Sequence, residues 1–371
     1  MILGVPRELK DHETRVGLVP AGVGELTASG HQVLVELGAG QSSYFEDEEY
    51  RRAGAEMVTS AREVWSRADL VCKVKEPIEP EYKLFRPGLL LLTYLHLAPL
   101  PDLTEQLLQH EVTAIGYETV ASTSDGRLPL LEPMSEIAGR LAVQIGAQYL
   151  ERRYGGRGLL LGGVPGVPGA RVLILGAGIV GSNAARMASG LGAVVTVADR
   201  SALRLRHLDD LLGGRVQTLS ANPSTIADAV AEADLIIGGV LIPGATAPKV
   251  VTRAMVARMR RGAVIVDVSI DQGGCIETAH PTTHTHPSYI EQDVVHYCVT
   301  NMPAAVPRTS TLALTNATFP YVRKLADCGL VAAVHADAGL MRGVNTHAGV
   351  LTYEAVAAAQ NRPHQTLASL L

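Results

Sequence analysis

Short runs of Val, Leu, Ile and Ala recur along the chain, and between them apolar residues return every three or four positions. Unbroken apolar runs of four to seven residues are the pattern of strands buried on both faces, whereas the longer spacing is that of amphipathic helices. In the first third, residues 2–5, 32–37, 70–74, 89–95 and 113–117 predict strands. Residues 21–29, 50–53, 60–68 and 103–109 predict helices between them. Such alternation predicts a parallel sheet with helical crossovers on its faces.

Glu132-Pro133-Met134-Ser135-Glu136 has the proline, hydroxyl and acids of a helix start, and Ile137, Leu141, Ile145 and Tyr149 follow at spacing four. Arg152 and Arg153 suit the negative end of the helix dipole, so this segment predicts a helix joining two domains. Residues 155–169 hold seven glycines and two prolines and predict a surface loop or hinge. Beyond Arg171 the alternation resumes, with strands at 172–175, 194–198, 216–219, 235–240, 263–269 and 295–299 and helices at 179–189, 202–212 and 224–232. Six strands with crossovers is the count of a complete dinucleotide-binding domain. Residues 313–326 and 350–359 read as helices returning to the first domain.

Composition narrows the class. The 371 residues suit two domains, the net charge of −5 carries no basic stripe for nucleic acid, and 47% apolar against 19% charged residues excludes general disorder. Cys72, Cys275, Cys298 and Cys328 stand apart, a spacing that offers neither a zinc site nor a disulfide framework and fits a reducing, cytoplasmic compartment. The N-terminus reads as no signal peptide, and no apolar stretch is long enough for a membrane span. The expectation is a soluble α/β chain with two doubly wound domains.

Gly176-Ala177-Gly178-Ile179-Val180-Gly181 follows one predicted strand and opens a helix, the required context of the G-x-G-x-x-G fingerprint. Gly176 allows the tight turn, Gly178 lets a pyrophosphate approach the backbone, and Gly181 permits close helix–strand packing. Asp199 ends the next strand, 23 residues after Gly176, where a carboxylate accepts from a ribose hydroxyl and repels a 2′-phosphate. NAD is therefore expected over NADP, although Arg200 and Arg204 weaken the exclusion.

Ligands of open α/β sheets lie beyond the carboxyl ends of the strands, which singles out the polar residues there. In the second domain these positions hold Val240, Asp271 and Asn301-Met302; in the first, Arg15, Lys75, His96 and Glu118. Arg15 and Lys75 suit a carboxylate and an adjacent carbonyl oxygen, and His96 titrates near ~6.5 in its unperturbed state and exchanges protons at neutral pH. Each has a plainer reading: solvated cations for Arg15 and Lys75, a core histidine for His96, a turn cap for Asp271, a structural ion pair for Glu118. His280, His284 and His286 lie on a proline-flanked loop without adjacent acid or thiol, so no metal site is expected.

Beyond these residues the chain resembles the alanine dehydrogenases, which share ancestry with the nicotinamide-nucleotide-binding subunit of proton-translocating transhydrogenase. The resemblance runs nearly end to end, through Glu13-Thr14-Arg15-Val16, Val74-Lys75-Glu76-Pro77, Tyr94-Leu95-His96-Leu97, Pro133-Met134-Ser135-Glu136, Asp271-Gln272-Gly273-Gly274-Cys275 and Asn301-Met302-Pro303. It implies a cytoplasmic, homohexameric enzyme interconverting L-alanine and NAD with pyruvate, ammonium and NADH. It implies His96 and Asp271 as catalytic residues and Arg15 and Lys75 as substrate ligands. Cofactor contacts are implied at Ser135, Gly178, Asp199, Arg204, Ser220, Val240, Asp271, Asn301 and Met302. It further implies a Rossmann domain at 131–307 inserted into a substrate domain formed by 1–130 and 308–371. The runner-up is the transhydrogenase subunit, which acts on no amino acid. Ser269 and Ala304 depart from the small residues common in the family, alanine and glycine, and remove no reactive group.

Overall fold

The computed structural model describes residues 1–240 and 247–371. Two compact units divide the chain, Met1–Met134 with Ala304–Leu371 and Ser135–Pro303. In the first unit, β1 (Ile2–Val5), β2 (Gln32–Glu36), β3 (Glu56–Val58), β4 (Leu70–Cys72), β5 (Leu90–Thr93) and β6 (Thr113–Gly116) form a parallel sheet. Their order is β3-β2-β1-β4-β5-β6. The chain winds outward from β1 to β3 and then returns to the other side at β4. The loops after β1 and β4 therefore diverge and open a crevice at their carboxyl ends.

The second unit repeats this scheme with β7 (Arg171–Leu175), β8 (Val194–Asp199), β9 (Gln217–Ser220), β10 (Leu235–Gly238) and β11 (Val264–Asp267), and then β12 (Ser288–Glu291) and β13 (Val294–Tyr297). Its order is β12-β13-β11-β10-β7-β8-β9, with β12 antiparallel at the edge. The six parallel strands have the winding of a dinucleotide-binding fold, with the reversal between β7 and β10.

Burial explains why the apolar runs were legible. Leu34, Val71, Leu91 and Ala114 pack with Trp65 and Phe85 into one core of the first unit. Leu173, Ala198, Ile236 and Ile265 pack with Ile226 and Val230 in the second. Each fully buried aliphatic side chain contributes ~1.5–3 kcal/mol. No described helix is long and apolar enough to cross a membrane.

The C-terminal segment corrects the sequence reading. A helix spans Pro307–Ala336, beyond the expected 313–326, and departs from helical geometry at Gly329 (φ 74°, ψ 172°). Residues 350–359 are not one helix: β14 (Val344–His347) and β15 (Val350–Leu351) form a hairpin on β6, and the helix is confined to Glu354–Gln360. The cause is the turn, since Ala348 and Gly349 both take positive φ (46° and 80°), as a two-residue hairpin connection of matching twist demands.

Candidate active site

In the first unit, Arg15, Lys75 and His96 come from the loops after β1, β4 and β5, at and beside the reversal point. Tyr94 links them. The His96 ring stacks on Tyr94 with centroids 5.8 Å apart and 6° between planes. Lys75 Nζ lies 5.9 Å from the Tyr94 ring centroid. The Tyr94 hydroxyl donates to the Leu130 carbonyl at 2.6 Å and fixes the ring. Sequence reasoning passed over Tyr94 because an aromatic in a strand-end run looks like core.

Arg15 is buried, and the side-on edge of its guanidinium is engaged by Glu13: Nε donates to Oε1 at 2.7 Å and Nη2 to Oε2 at 2.6 Å. Burial opposes its charge, and Glu13 more than restores it, so its pKa lies above the ordinary value. Nη1 donates to Met134 Sδ at 3.0 Å. Glu13 thus holds the guanidinium through its Nε–Nη2 edge and sets the orientation of the Nη1–Nη2 end. Glu13 was invisible in sequence as a partner, although its i,i+2 spacing in an extended loop is the available signal.

Behind this layer Lys73, 1% exposed, lies 2.8 Å from Glu81 Oε1 and 3.2 Å from Glu8 Oε2. Glu8 Oε1 accepts from the Val74 amide at 2.7 Å, so the buried triad grips the segment that leads into Lys75. Glu76 pairs with Lys10. His96 holds a left-handed conformation (φ 48°), and its amide donates to Glu118 Oε1 at 2.7 Å. Glu118 also accepts from the Leu95 amide at 3.1 Å, so it secures the turn that presents the imidazole.

Burial holds His96 below the ordinary imidazole pKa; Glu118 and Glu76 pull it up while Lys75 and Lys10 push it down. The neutral ring is thus the dominant form at neutral pH, as a general base requires. Glu118→Gln keeps an acceptor oxygen for the two amides and removes the charge. The acid limb of kcat/KM is expected to move to lower pH in this variant; an unmoved limb would show that Glu118 does not tune His96.

In the second unit the fingerprint lies between β7 and the helix Ile179–Gly190. Gly176 has φ 97°, and a Cβ on Gly181 would stand 1.8 Å from the Gly176 carbonyl oxygen. A Cβ on Gly178 would meet nothing within 4 Å, and no side chain caps this helix. Open space in front of the first helical amides fits a diphosphate. Asp199 Oδ2 accepts from the Ala177 amide at 2.7 Å and Oδ1 from the Ser201 amide at 2.7 Å, which fixes the carboxylate beside the glycine turn. Arg204 Nη1 is 3.9 Å from Asp199 Oδ2, and Ser220 pairs with Asp199 in the sheet register. These residues fit a nicotinamide nucleotide.

Val240 follows β10, and a Cβ on Gly176 would approach its amide nitrogen to 3.4 Å. Asp271 is exposed after β11, and its Oδ1 accepts from the Asn301 amide at 3.2 Å. Met302 beside it is buried, and Ser135 is half-buried near the start of the helix Glu132–Tyr149. Among the described residues no three His, Cys, Asp or Glu side chains gather as metal ligands. His280 instead stacks on Tyr289 with centroids 3.8 Å apart, and His284 Nε2 lies 3.3 Å from the Asn301 carbonyl oxygen.

A doubly wound unit with this fingerprint, joined to a second unit bearing a cation–imidazole cluster, defines a Rossmann-type oxidoreductase served by a nicotinamide nucleotide. Residues 4–138 match the alanine dehydrogenase/PNT N-terminal domain and residues 142–354 its C-terminal domain. The chain belongs to the alanine dehydrogenase/PNT family. It is 58% identical over 359 residues to an alanine dehydrogenase of Bacillus subtilis, covering 96% of this chain and 94% of that one. It is 53% identical over 371 residues to an alanine dehydrogenase of Mycolicibacterium smegmatis, with both chains fully covered. A solved L-alanine dehydrogenase superposes with TM-score 0.94 at 53% identity, over 97% of this chain and 99% of that one. A transhydrogenase from Sinorhizobium meliloti is more distant, with TM-score 0.82 and 25% identity over 96% of this chain and all of that one.

Proposed function

We propose that this chain catalyses the reversible, NAD-dependent oxidative deamination of L-alanine to pyruvate and ammonium. The observation that carries this reading is identity above one half, along the whole chain, to alanine dehydrogenases. The unit formed by Met1–Met134 and Ala304–Leu371 takes the amino acid, and Ser135–Pro303 takes the nucleotide. NAD is preferred to NADP because the fixed Asp199 carboxylate accepts from ribose hydroxyls and repels a 2′-phosphate. A homohexamer in the cytoplasm follows from the family resemblance.

Bound NAD supplies the acceptor for the hydride on the alanine Cα. The outer end of the Arg15 guanidinium and the Lys75 ammonium receive the substrate carboxylate. Asp271 offsets the positive charge that appears on the substrate nitrogen as the carbon–nitrogen double bond forms. Neutral His96 takes a proton from the water that adds to that carbon, and returns it to the departing amine. As the carbon–nitrogen bond breaks, the hydroxyl gives its proton to the again neutral His96, and Lys75 holds the new carbonyl oxygen of pyruvate.

NADH oxidation is the direct test, with pyruvate supplied alone and together with ammonium. Oxidation is expected only when both are present. Pyruvate alone sufficing would indicate a hydroxy-acid dehydrogenase, and no oxidation with either would leave the nucleotide-binding subunit of a transhydrogenase as the better reading.

A further inference from the structure

The loop that carries Asp271 is held from two sides by charges that take no part in the steps above. Asp267, fully buried at the end of β11, accepts from the Ser269 amide (Oδ1, 3.0 Å) and the Cys275 amide (Oδ2, 2.9 Å). The Cys275 thiol lies 3.5 Å from Oδ1. One carboxylate therefore ties together the two ends of the short helical turn Val268–Gln272 and the glycines after it. The pocket is tight: a Cβ on Gly238 would stand 2.6 Å from Asp267 Oδ1, and one on Gly274 2.8 Å from Oδ2. From the opposite side the exposed Lys249 donates through Nζ to the Gly273 carbonyl at 2.6 Å and the Ile276 carbonyl at 3.2 Å. The Ala247 amide donates to the Gln272 carbonyl at 2.9 Å, continuing the strap.

We propose that Asp267 and Lys249 are positioning residues that clamp residues 268–276 and thereby fix where the Asp271 carboxylate stands. The inference rests on the reading above for the role of Asp271. It does not rest on that reading for the clamp itself, which is a matter of geometry.

The clamp has a built-in dependence on acid. Burial raises the Asp267 pKa to about 6, against the lowering effect of the Cys275 amide and thiol, the Ser269 amide and the charge of Lys249. From β13 and beyond, the buried Cys298 thiol also feels this carboxylate. An ionised carboxylate accepts from both amides. Once protonated, each oxygen still keeps an acceptor lone pair, and because the folded loop holds this proton more tightly than an opened loop would, protonation favours the closed loop. The buried charge therefore strains the loop above about pH 6, and the loop is held more firmly below it.

Hydrogen–deuterium exchange of residues 268–276, corrected for the intrinsic pH dependence of exchange, reads the clamp without any turnover. Asp267→Asn places a permanent donor where the protonated acid would have one. At pH 8 it is expected to speed exchange of this loop roughly tenfold, to lower kcat for alanine by a similar factor, and to abolish the wild-type slowing of exchange as pH falls through about 6. Lys249→Met, at an exposed site where folding is not at stake, is expected to loosen the same residues by a smaller factor. Unchanged exchange in both variants overturns the clamp, as does faster exchange with unchanged kcat and unchanged NADH affinity. If the wild-type chain fails to oxidise alanine while the exchange pattern appears as described, the reading of function fails and the clamp stands.

Discussion

Replacing His96 with alanine lowers alanine turnover by ~10²–10⁴ and leaves nucleotide binding nearly intact, the loss expected when a positioned proton carrier is removed. Two features make the effect specific. The fingerprint and Asp199, proposed to hold the nucleotide, belong to the other compact unit, so truncation at residue 96 alters none of those residues. The imidazole is also the one group of the cluster held neutral by burial, with Lys75 and Arg15 cationic and unable to take a proton from water. Because φ at residue 96 is 48°, alanine adds backbone strain to the lost chemistry. His96→Asn separates the two, since asparagine tolerates the left-handed region. Both variants are expected to show the same fall in kcat, with NADH titrated by its fluorescence as the control. Near-normal turnover in either removes His96 from the mechanism.

The strands were legible because nearly all are buried on both faces. Residues 235–240 carry no polar side chain and residues 70–74 only Lys73, and β4 and β10 formed inside these runs. Two edge strands were missed, since there the pattern dissolves: β3 has three residues, and β12 exposes Ile290 at 64%, although β9 at the other edge was read at 216–219. The strand-end rule pointed to Arg15, Lys75 and His96, which the first unit carries on the loops after β1, β4 and β5, and to Asp271, which the second carries after β11. What stayed hidden were the buried charges behind them. Glu13, Glu118 and Asp267 act through partners 2 to 23 residues away, and Glu8 reaches Lys73 from the loop after β1. No local periodicity marks such pairs. Lys73 is the clearest instance, a charge inside a run otherwise apolar and read as plain strand. Only the fold reveals that two carboxylates meet it.

Removing that charge is expected to be the most destabilising single change in the first unit. Burial opposes the Lys73 charge, yet Glu8 and Glu81 outweigh it and hold its pKa above the ordinary value. Lys73→Met preserves the length of the side chain and leaves two carboxylates, 3% and 2% exposed, without their cation. Breaking a buried pair in this way costs ~3–5 kcal/mol. Urea unfolding followed by fluorescence isolates the right part of the molecule, because the single tryptophan, Trp65, sits in the core of this unit. The pH dependence has a definite sign. Glu8 already titrates above its ordinary value through burial, with Lys73 pulling the other way. Without Lys73 the Glu8 carboxyl holds its proton more tightly in the folded state than in the unfolded one, so the deficit shrinks in acid and grows as pH rises. The variant is therefore expected to lose more stability at pH 8 than at pH 5. Neutralising all three groups, Glu8→Gln with Lys73→Met and Glu81→Gln, is expected to recover most of the loss, because no uncompensated charge remains buried. A Lys73→Met chain within ~1 kcal/mol of wild type at pH 8 would mean that water reaches the two carboxylates and that the triad carries little of the fold's stability.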